Sequence, residues 1–208
     1  MAPPDCRFTN LPGQEVSVTD DQIRFIRTSL PCRQITGVPE YHFDDIRPDD
    51  RVLDVGANIG AFSIRAARRS SHVVAIEPVT TDLLIRNVAL NHSPTRVIFG
   101  ALGTGEPTEI VWDDCRVISP TFPLKKLREL AGGCDFLKCD CEGAEWKINP
   151  DELAGIRRIE MELHIPPICE PPESGLLDYI GEHYSFTLDR NPVHAALGVM
   201  GILHAVRN

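Results

Sequence analysis

Residues 52–60 read VLDVGANIG, and this stretch decides the fold. Apolar residues around Asp54 run into Gly56 and Gly60, with Asn58 between the two glycines. The preceding residues predict a β-strand, and the following NIGAFSIRAARRS has the spacing of a helix. Glycines at such a turn let the backbone approach a ligand closely. Asparagine tolerates a positive φ, so Asn58 is predicted to keep the turn in shape without a third glycine.

A regular alternation of strands and helices extends from this stretch. Further strands are predicted at 72–77, 96–102, 134–140 and 156–165, with helices between them. This alternation indicates βαβ units and a parallel sheet with helices on both faces.

The C-terminal part of the chain departs from the alternation. The runs 184–190 and 196–206 are separated only by NPVH, read as a turn, which predicts an antiparallel hairpin. The last run is almost wholly apolar, so it is expected to insert into the sheet. The predicted fold class is therefore α/β and Rossmann-like, with a mostly parallel seven-stranded sheet and a C-terminal antiparallel hairpin.

The length and composition favour one main domain. The chain has 208 residues, 42% hydrophobic and 25% charged, as in an ordinary globular protein. Residues 1–40 are rich in proline and polar groups and are expected to form an N-terminal extension with a short helix near 20–28, suited to act as a lid. Residues 41–208 form the predicted main domain.

Several classes of protein are disfavoured by the charge and the cysteines. The N-terminus lacks the features of a secretory signal, and no apolar run is long enough to span a bilayer. Seven cysteines in such a chain predict a reducing, cytoplasmic compartment and buried thiols, and no metal site is predicted. A zinc site at Cys134, Cys139 and Cys141 is the weaker alternative. The net charge of −9 argues against broad binding to nucleic acid.

Two acidic residues near strand ends indicate the ligand. Asp54 would repel a dinucleotide pyrophosphate but would favour a ligand with an ammonium group and a sulfonium centre, such as S-adenosylmethionine. Glu77 ends the second strand, where an acidic side chain accepts bonds from ribose hydroxyls. Pro78 holds Glu77 extended. The predicted cofactor-binding residues are Asp54, Gly56, Ala57, Asn58, Gly60, Glu77, Pro78 and Ala101.

The segments VLDVGANIGAFSIRAA, VVAIEPVTTDLLIRNVALN, FGALGTG and FLKCDCEGAEWKI…IRRIEMELH together resemble the FkbM family of S-adenosylmethionine-dependent methyltransferases. The similarity covers about residues 51–164, and the D-x-E-G-A-E motif is its most discriminating part. The resemblance implies a class I methyltransferase fold and methyl transfer to a hydroxyl of a sugar or natural product.

The candidate catalytic residues lie at the ends of the fourth and fifth strands. Asp140 ends the fourth strand, and Glu142 and Glu145 follow it, where carboxylates also favour a helix N-terminus. In IEMELHI, Glu160, Glu162 and His164 share one face and need partners such as Arg157, Arg158 or Lys138. His164 ends the strand and is suited to act as a general base near neutrality. Asp140, Glu142 and His164 are the predicted catalytic residues.

These observations predict an S-adenosylmethionine-dependent methyltransferase. The expected acceptor is a hydroxyl on a small metabolite, sugar or lipid-linked molecule, without a nucleic-acid partner, and the expected state is a monomer or homodimer. The alternatives are a methyltransferase acting on RNA or protein, a nicotinamide oxidoreductase, and an S-adenosylmethionine-binding protein without turnover. Residues 104–123 and 165–174 are expected to form walls over the acceptor.

Overall fold

The computed structural model describes residues 15–28, 34–113, 115–170 and 175–208. Its strands, in chain order, are β1 (Glu15–Asp20), β2 (Ile23–Thr28), β3 (Arg51–Val55), β4 (His72–Glu77), β5 (Arg96–Phe99), β6 (Ala101–Leu102), β7 (Thr108–Trp112), β8 (Cys115–Ser119), β9 (Thr121–Phe122), β10 (Phe136–Cys139), β11 (Arg158–His164), β12 (Tyr184–Asp189) and β13 (Val199–Arg207). Its α-helices are α1 (Ala61–Ala66), α2 (Thr81–Leu90), α3 (Leu124–Ala131), α4 (Leu176–His183) and α5 (Pro192–Ala196). Short 3-10 helices span Phe43–Asp45, Ala144–Lys147 and Pro150–Leu153.

Seven strands form one sheet in the order β12-β13-β11-β10-β3-β4-β5. The five strands from β11 to β5 pair in parallel, whereas β13 runs antiparallel to both β11 and β12. The predicted fold class is therefore confirmed, including the insertion of the last strand. Because the five parallel strands end at one edge of the sheet, residues that follow them lie close together there.

Both faces of the sheet are buried. Along β3, Leu53 and Val55 pack into one hydrophobic cluster, while Val52 packs into another on the opposite side. The second cluster includes Phe62 of α1 and Phe136 of β10, both almost fully buried. This two-sided burial explains why the parallel strands read as apolar runs without alternation.

The N-terminal segment differs from its prediction. Residues 15–28 form the antiparallel hairpin β1–β2, not a helix. Asp21 and Gln22 have φ of 47° and 60°, so they form a tight two-residue turn between the strands. Ile23 and Phe25 are buried on alternate positions of β2. This period of two, weak in so short a segment, was the signal for a strand.

The hairpin is joined to the main domain by polar contacts. The side chain of Asn87 accepts a bond from the Ile26 amide at 2.6 Å and donates to the Ile26 carbonyl at 3.0 Å. Arg65 pairs with Asp20 at 2.9 Å. These contacts and the burial of Phe25 make the hairpin part of the same core.

Two other short segments hold elements that the sequence did not predict. The region read as the turn NPVH holds the short helix α5, which Asn191 caps by accepting a bond from the Val193 amide at 3.0 Å. The predicted wall at 104–123 contains the antiparallel hairpin β7–β8. Both elements add to the fold without changing the order of the sheet.

The cysteines and the helices test two further predictions, that the thiols are reduced and that no segment spans a membrane. Cys115 is disulfide-bonded, so the prediction of reduced thiols is wrong at that position. Cys134, Cys139, Cys141 and Cys169 carry free thiols. Within the described ranges, no helix has both the length and the apolar character needed to cross a membrane.

Candidate active site

A cavity of about 890 Å³ lies at the edge of the sheet where the parallel strands end. Parts of both predicted walls line it, among them Trp112 of β7 and Cys169. Ile35 and Val38 from the N-terminal part of the chain line it as well. The predicted site residues that line the cavity are Gly56, Ala57, Asn58, Glu77, Pro78, Ala101, Asp140, Glu142 and His164. Asp54 and Gly60 are not among the lining residues.

The turn after β3 has the shape that the sequence predicts. Gly56 and Asn58 have φ of 76° and 52°, so Asn58 adopts the left-handed conformation expected of it. A Cβ on Gly56 would lie 1.8 Å from the carbonyl oxygen of Asp140, so only glycine fits there. At Gly60 a Cβ would lie 2.9 Å from Leu84, which means that this glycine allows helix packing and does not contact the cavity.

Glu77 is fixed at the cavity wall by backbone amides. Its carboxylate accepts bonds from the amides of Asn58 at 2.9 Å, Val79 at 2.6 Å and Thr80 at 2.9 Å. Burial raises the pKa of Glu77, and these bonds oppose that rise. The three bonds fix the direction of the side chain and leave acceptor capacity for a ligand on the cavity side.

Asp54 lies behind the cavity wall. Its side chain is fully buried, accepts a bond from the Ser63 hydroxyl at 2.5 Å, and lies 3.2 Å from the ammonium of Lys138. In the protein alone its partners are Ser63 and Lys138, and the predicted contact between Asp54 and a cavity ligand stays a prediction.

Lys138 belongs to the site, although the sequence analysis did not assign it a role there. Its ammonium donates to the Gly56 carbonyl at 2.8 Å and lies 3.6 Å from a carboxylate oxygen of Asp140. Burial lowers the pKa of Lys138, but the nearby carboxylates of Asp54 and Asp140 outweigh burial and raise it. The ammonium therefore stays charged and braces the glycine turn. A lysine inside the buried run FLKC was the signal in the sequence.

His164 is held by a buried carboxylate. Its Nδ1 lies 2.9 Å from Oε1 of Glu145, which also accepts the His164 backbone amide at 2.7 Å. Burial lowers the pKa of His164, but the hydrogen bond to Glu145 and the surrounding carboxylates raise it to about 9. These carboxylates therefore favour the charged imidazolium in the protein alone, and the role of His164 as a base stays a prediction. Glu145 positions His164 and does not contact solvent.

The other ring nitrogen of His164 points toward the two further predicted catalytic residues. Nε2 lies 3.6 Å from Oε2 of Glu142 and 4.0 Å from Oδ1 of Asp140. Glu142 also accepts the indole N–H of Trp112 at 3.0 Å. We refer to His164, Glu145, Asp140 and Glu142 as the His164 cluster. The structure thus brings together the three residues predicted to be catalytic.

Two more residues lie beside Asp140, and one of them lines the cavity. The hydroxyl of Tyr41, from the segment before β3, donates to Oδ2 of Asp140 at 3.2 Å. Glu162 lines the cavity, and burial together with the charge of Asp140 raises its pKa to about 8. Tyr41 had no recognisable signal in the sequence, because its contact spans 99 positions of the chain.

A second polar cluster lies farther along β11. His204 of β13 places its Nδ1 2.6 Å from Oε2 of Glu160, and Arg158 lies 2.5 Å from Oε1 of the same carboxylate. The ring of His42 stacks on His204 with the centroids 4.1 Å apart. We refer to His204, Glu160, Arg158 and His42 as the His204 cluster. It confirms the predicted pairing of Arg158 with an acid on this face.

The groups of side chains in the described ranges that are placed to share an ion contain histidines and carboxylates only. One group is Asp140, Glu142 and His164, and the other is His42, Glu160 and His204. Cys139 and Cys141 lie 3.4 Å apart but belong to neither group. The alternative of a zinc site built from the cysteines therefore gains no support.

No protein-family model matches the chain, so the FkbM resemblance is not confirmed. Over 71 residues the chain is 37% identical to the 23S rRNA (uracil(1939)-C(5))-methyltransferase RlmD of Photobacterium angustum. That match covers 33% of the chain and 32% of RlmD, so the chain matches only about a third of this curated relative.

Two solved structures have the same fold at low identity. Trm5b from Pyrococcus abyssi has a TM-score of 0.60 at 16% identity, over 94% of this chain and 56% of that one. TYW2 from P. horikoshii, solved in complex with MeSAdo, has a TM-score of 0.53 at 16% identity, over 93% and 70%. The chain therefore has the Rossmann-like fold of class I methyltransferases.

Proposed function

We propose that the protein is an S-adenosylmethionine-dependent methyltransferase whose acceptor is RNA. The observation that carries the proposal is the match to RlmD, an rRNA methyltransferase, in a chain that has a methyltransferase fold and a cavity at the strand ends. The prediction of a small-molecule acceptor without a nucleic-acid partner is wrong in the light of this relative. That prediction was based on the net charge of the whole chain and did not consider the site separately.

The donor is S-adenosylmethionine, which supplies a methyl group on a positively charged sulfur. The residues at the cavity fit it. Glu77 presents a fixed carboxylate that suits two ribose hydroxyls, and the Gly56 turn brings backbone to the same wall. Ala101 and Leu102 add an apolar surface next to Glu77. The related fold of TYW2, solved with MeSAdo, agrees with this choice of donor.

Acceptor binding is assigned to the opposite side of the cavity. Trp112 lines this part of the cavity, and its indole N–H is bonded to Glu142. An aromatic face at a cavity wall is a surface on which an extruded base stacks. Asp140 and His164 lie beside it, and we assign to Asp140 the acceptance of the acceptor proton and to both residues the orientation of the acceptor atom. The N-terminal extension, which reaches the cavity through Ile35 and Val38, is proposed to cover the bound acceptor.

The test of the acceptor uses methyl-labelled S-adenosylmethionine with separate fractions of RNA, protein and small molecules. Label is expected in RNA, and binding to that RNA should weaken with rising salt. Label in the protein or small-molecule fraction alone would refute RNA as the acceptor. Donor binding without any label transfer would instead support a binding protein without turnover, and stabilisation by NAD alone would support an oxidoreductase.

The donor site is tested separately by calorimetry on Glu77→Gln. Loss of the charged acceptor should weaken S-adenosylmethionine binding by about tenfold to a hundredfold, because hydrogen bonds to charged groups contribute about 1.5–3 kcal/mol. Asp82→Asn is the matched control, since Asp82 is exposed on α2 and lies outside the cavity. Equal affinities for the two variants and the wild type would exclude Glu77 from the donor site.

A further inference from the structure

The His164 cluster combines two carboxylates with one buried imidazole nitrogen that lacks a hydrogen bond. His164 is only 2% exposed, and its Nε2 points at Asp140 and Glu142. The separations of 4.0 and 3.6 Å are too long for hydrogen bonds. Within the part of the chain that the structure describes, no other group bonds to this nitrogen.

We propose that Asp140, Glu142 and His164 bind a divalent cation of the Mn²⁺ type at the wall of the cavity. The ligand atoms of the three residues lie within 4.8 Å of one another. Two atoms that each lie about 2.1 Å from one ion are separated by about 3.0 Å at a right angle and by about 4.2 Å across the ion. The two separations from Nε2 fall inside this range.

The far side of His164 has the arrangement that metal-ligating histidines use. A histidine that binds a metal through one nitrogen usually donates the other N–H to a carboxylate, which fixes the ring and its tautomer. Here Nδ1 is 2.9 Å from the fully buried Glu145. Because Glu145 also accepts the amides of Gly143 and His164, the ring is held before any ion arrives.

The donor set favours Mn²⁺ among the common divalent ions. Carboxylate oxygens suit Mg²⁺, Ca²⁺ and Mn²⁺, while an imidazole ligand favours a transition metal over Mg²⁺ and Ca²⁺. Three protein ligands leave other positions of an octahedral ion for oxygen atoms in the cavity. Such a cation would offset the carboxylates of Asp140, Glu142 and Glu162, which otherwise repel an acceptor that carries phosphates.

The His204 cluster provides an internal control, because a positively charged side chain of the protein already occupies the place that a metal ion would take. The guanidinium of Arg158 lies 2.5 Å from Glu160, 2.9 Å from Asp45 and 2.8 Å from Nδ1 of His42. A second cation beside this fixed charge would be repelled. We therefore assign the Mn²⁺ site to the His164 cluster alone.

The experiment titrates Mn²⁺ into chelator-treated protein and follows the loss of the free-Mn²⁺ electron paramagnetic resonance signal, without donor or RNA. The wild type should bind one Mn²⁺ per chain. His164→Asn keeps a donor for Glu145 but removes Nε2, and it should weaken binding by about tenfold to a hundredfold. His204→Asn makes the same change beside Glu160 and should bind as the wild type does.

The proposal does not depend on methyl transfer, so its failure and the failure of the proposed function are distinguishable. Absence of saturable Mn²⁺ binding to the wild type at millimolar concentration would overturn it, as would unchanged binding by His164→Asn or loss of binding in His204→Asn. If His164→Asn does not fold, Glu142→Gln replaces it, because that side chain is 45% exposed. Weaker binding by Glu142→Gln supports the site, and unchanged binding refutes it.

Discussion

Two buried histidine–glutamate pairs lie on one face of the sheet, and their charges are balanced in different ways. In the His204 cluster, Arg158 supplies a fixed positive charge to Glu160. In the His164 cluster, the carboxylates of Asp140 and Glu142 face the cavity, and the nearest fixed cation is Lys138, 3.6 Å from Asp140. Similar residues therefore form a closed structural network at one place and an open site at another.

The largest effect is expected when the internal cation of the closed cluster is removed. Arg158→Met leaves Glu160 fully buried without its charged partner, which should lower the free energy of unfolding by about 3–5 kcal/mol. Urea unfolding measures this difference. Arg116→Met is the control, because Arg116 pairs with Glu109 while both are exposed, and a change below about 1 kcal/mol is expected. Equal losses in the two variants would show that Glu160 does not need Arg158.

The second-largest effect is expected on catalytic activity, which should distinguish the His164 cluster from the His204 cluster. Asp140→Asn and His164→Asn should lower kcat by about a hundredfold, the usual contribution of a positioned acid or base, with donor affinity near that of the wild type. His204→Asn should keep the wild-type kcat, because it lies outside the cavity. Label transfer to the RNA fraction measures all three variants. A kcat that falls equally in His204→Asn would remove the functional distinction between the clusters.

The smallest effect on stability is expected for an ion pair that is partly exposed to solvent. Arg51 and Asp135 form two contacts of 2.7 and 2.8 Å, with side chains 49% and 28% exposed. The hydrogen bond from Arg51 lowers the pKa of Asp135 to about 2. A carboxylate with a lowered pKa stabilises the fold above its unfolded value of about 3.9, and this contribution is lost as the pH falls through about 2.

Asp135→Asn should therefore cost about 0.2–1 kcal/mol at pH 6 and progressively less below pH 4. Urea unfolding of both proteins at several pH values measures the difference. A difference that grows as the pH falls would contradict the lowered pKa of Asp135. A loss as large as that of Arg158→Met would mean that exposure does not separate weak from strong charge pairs in this protein.

Much of the fold could be predicted because its signals are local. The apolar runs of β3, β4 and β10, and the apolar β13 after a break in the alternation, carry their own evidence of burial. The hairpin at 15–28 was missed because six-residue strands give little periodic signal. A short helix was predicted there instead.

The site was predicted in part for a similar reason. Residues that end a strand, such as Glu77 and His164, or directly follow one, such as Asp140, do meet at the cavity. Asp54 is also close to a strand end, but its neighbours are set by Lys138 and Ser63, and no local pattern reveals which side of the wall a carboxylate faces. Glu145 was correctly seen as an acid in the first turn, yet its pairing with His164 across 19 positions depends on tertiary structure.

The position of β13 has a consequence for how the chain folds. Residues 199–207 lie between β11 and β12, so until they are in place β11 keeps an unpaired edge that other chains can join. Within the sheet β12 pairs with β13 alone, which means that the two must dock as a unit. Late folding should thus be the stage most prone to aggregation.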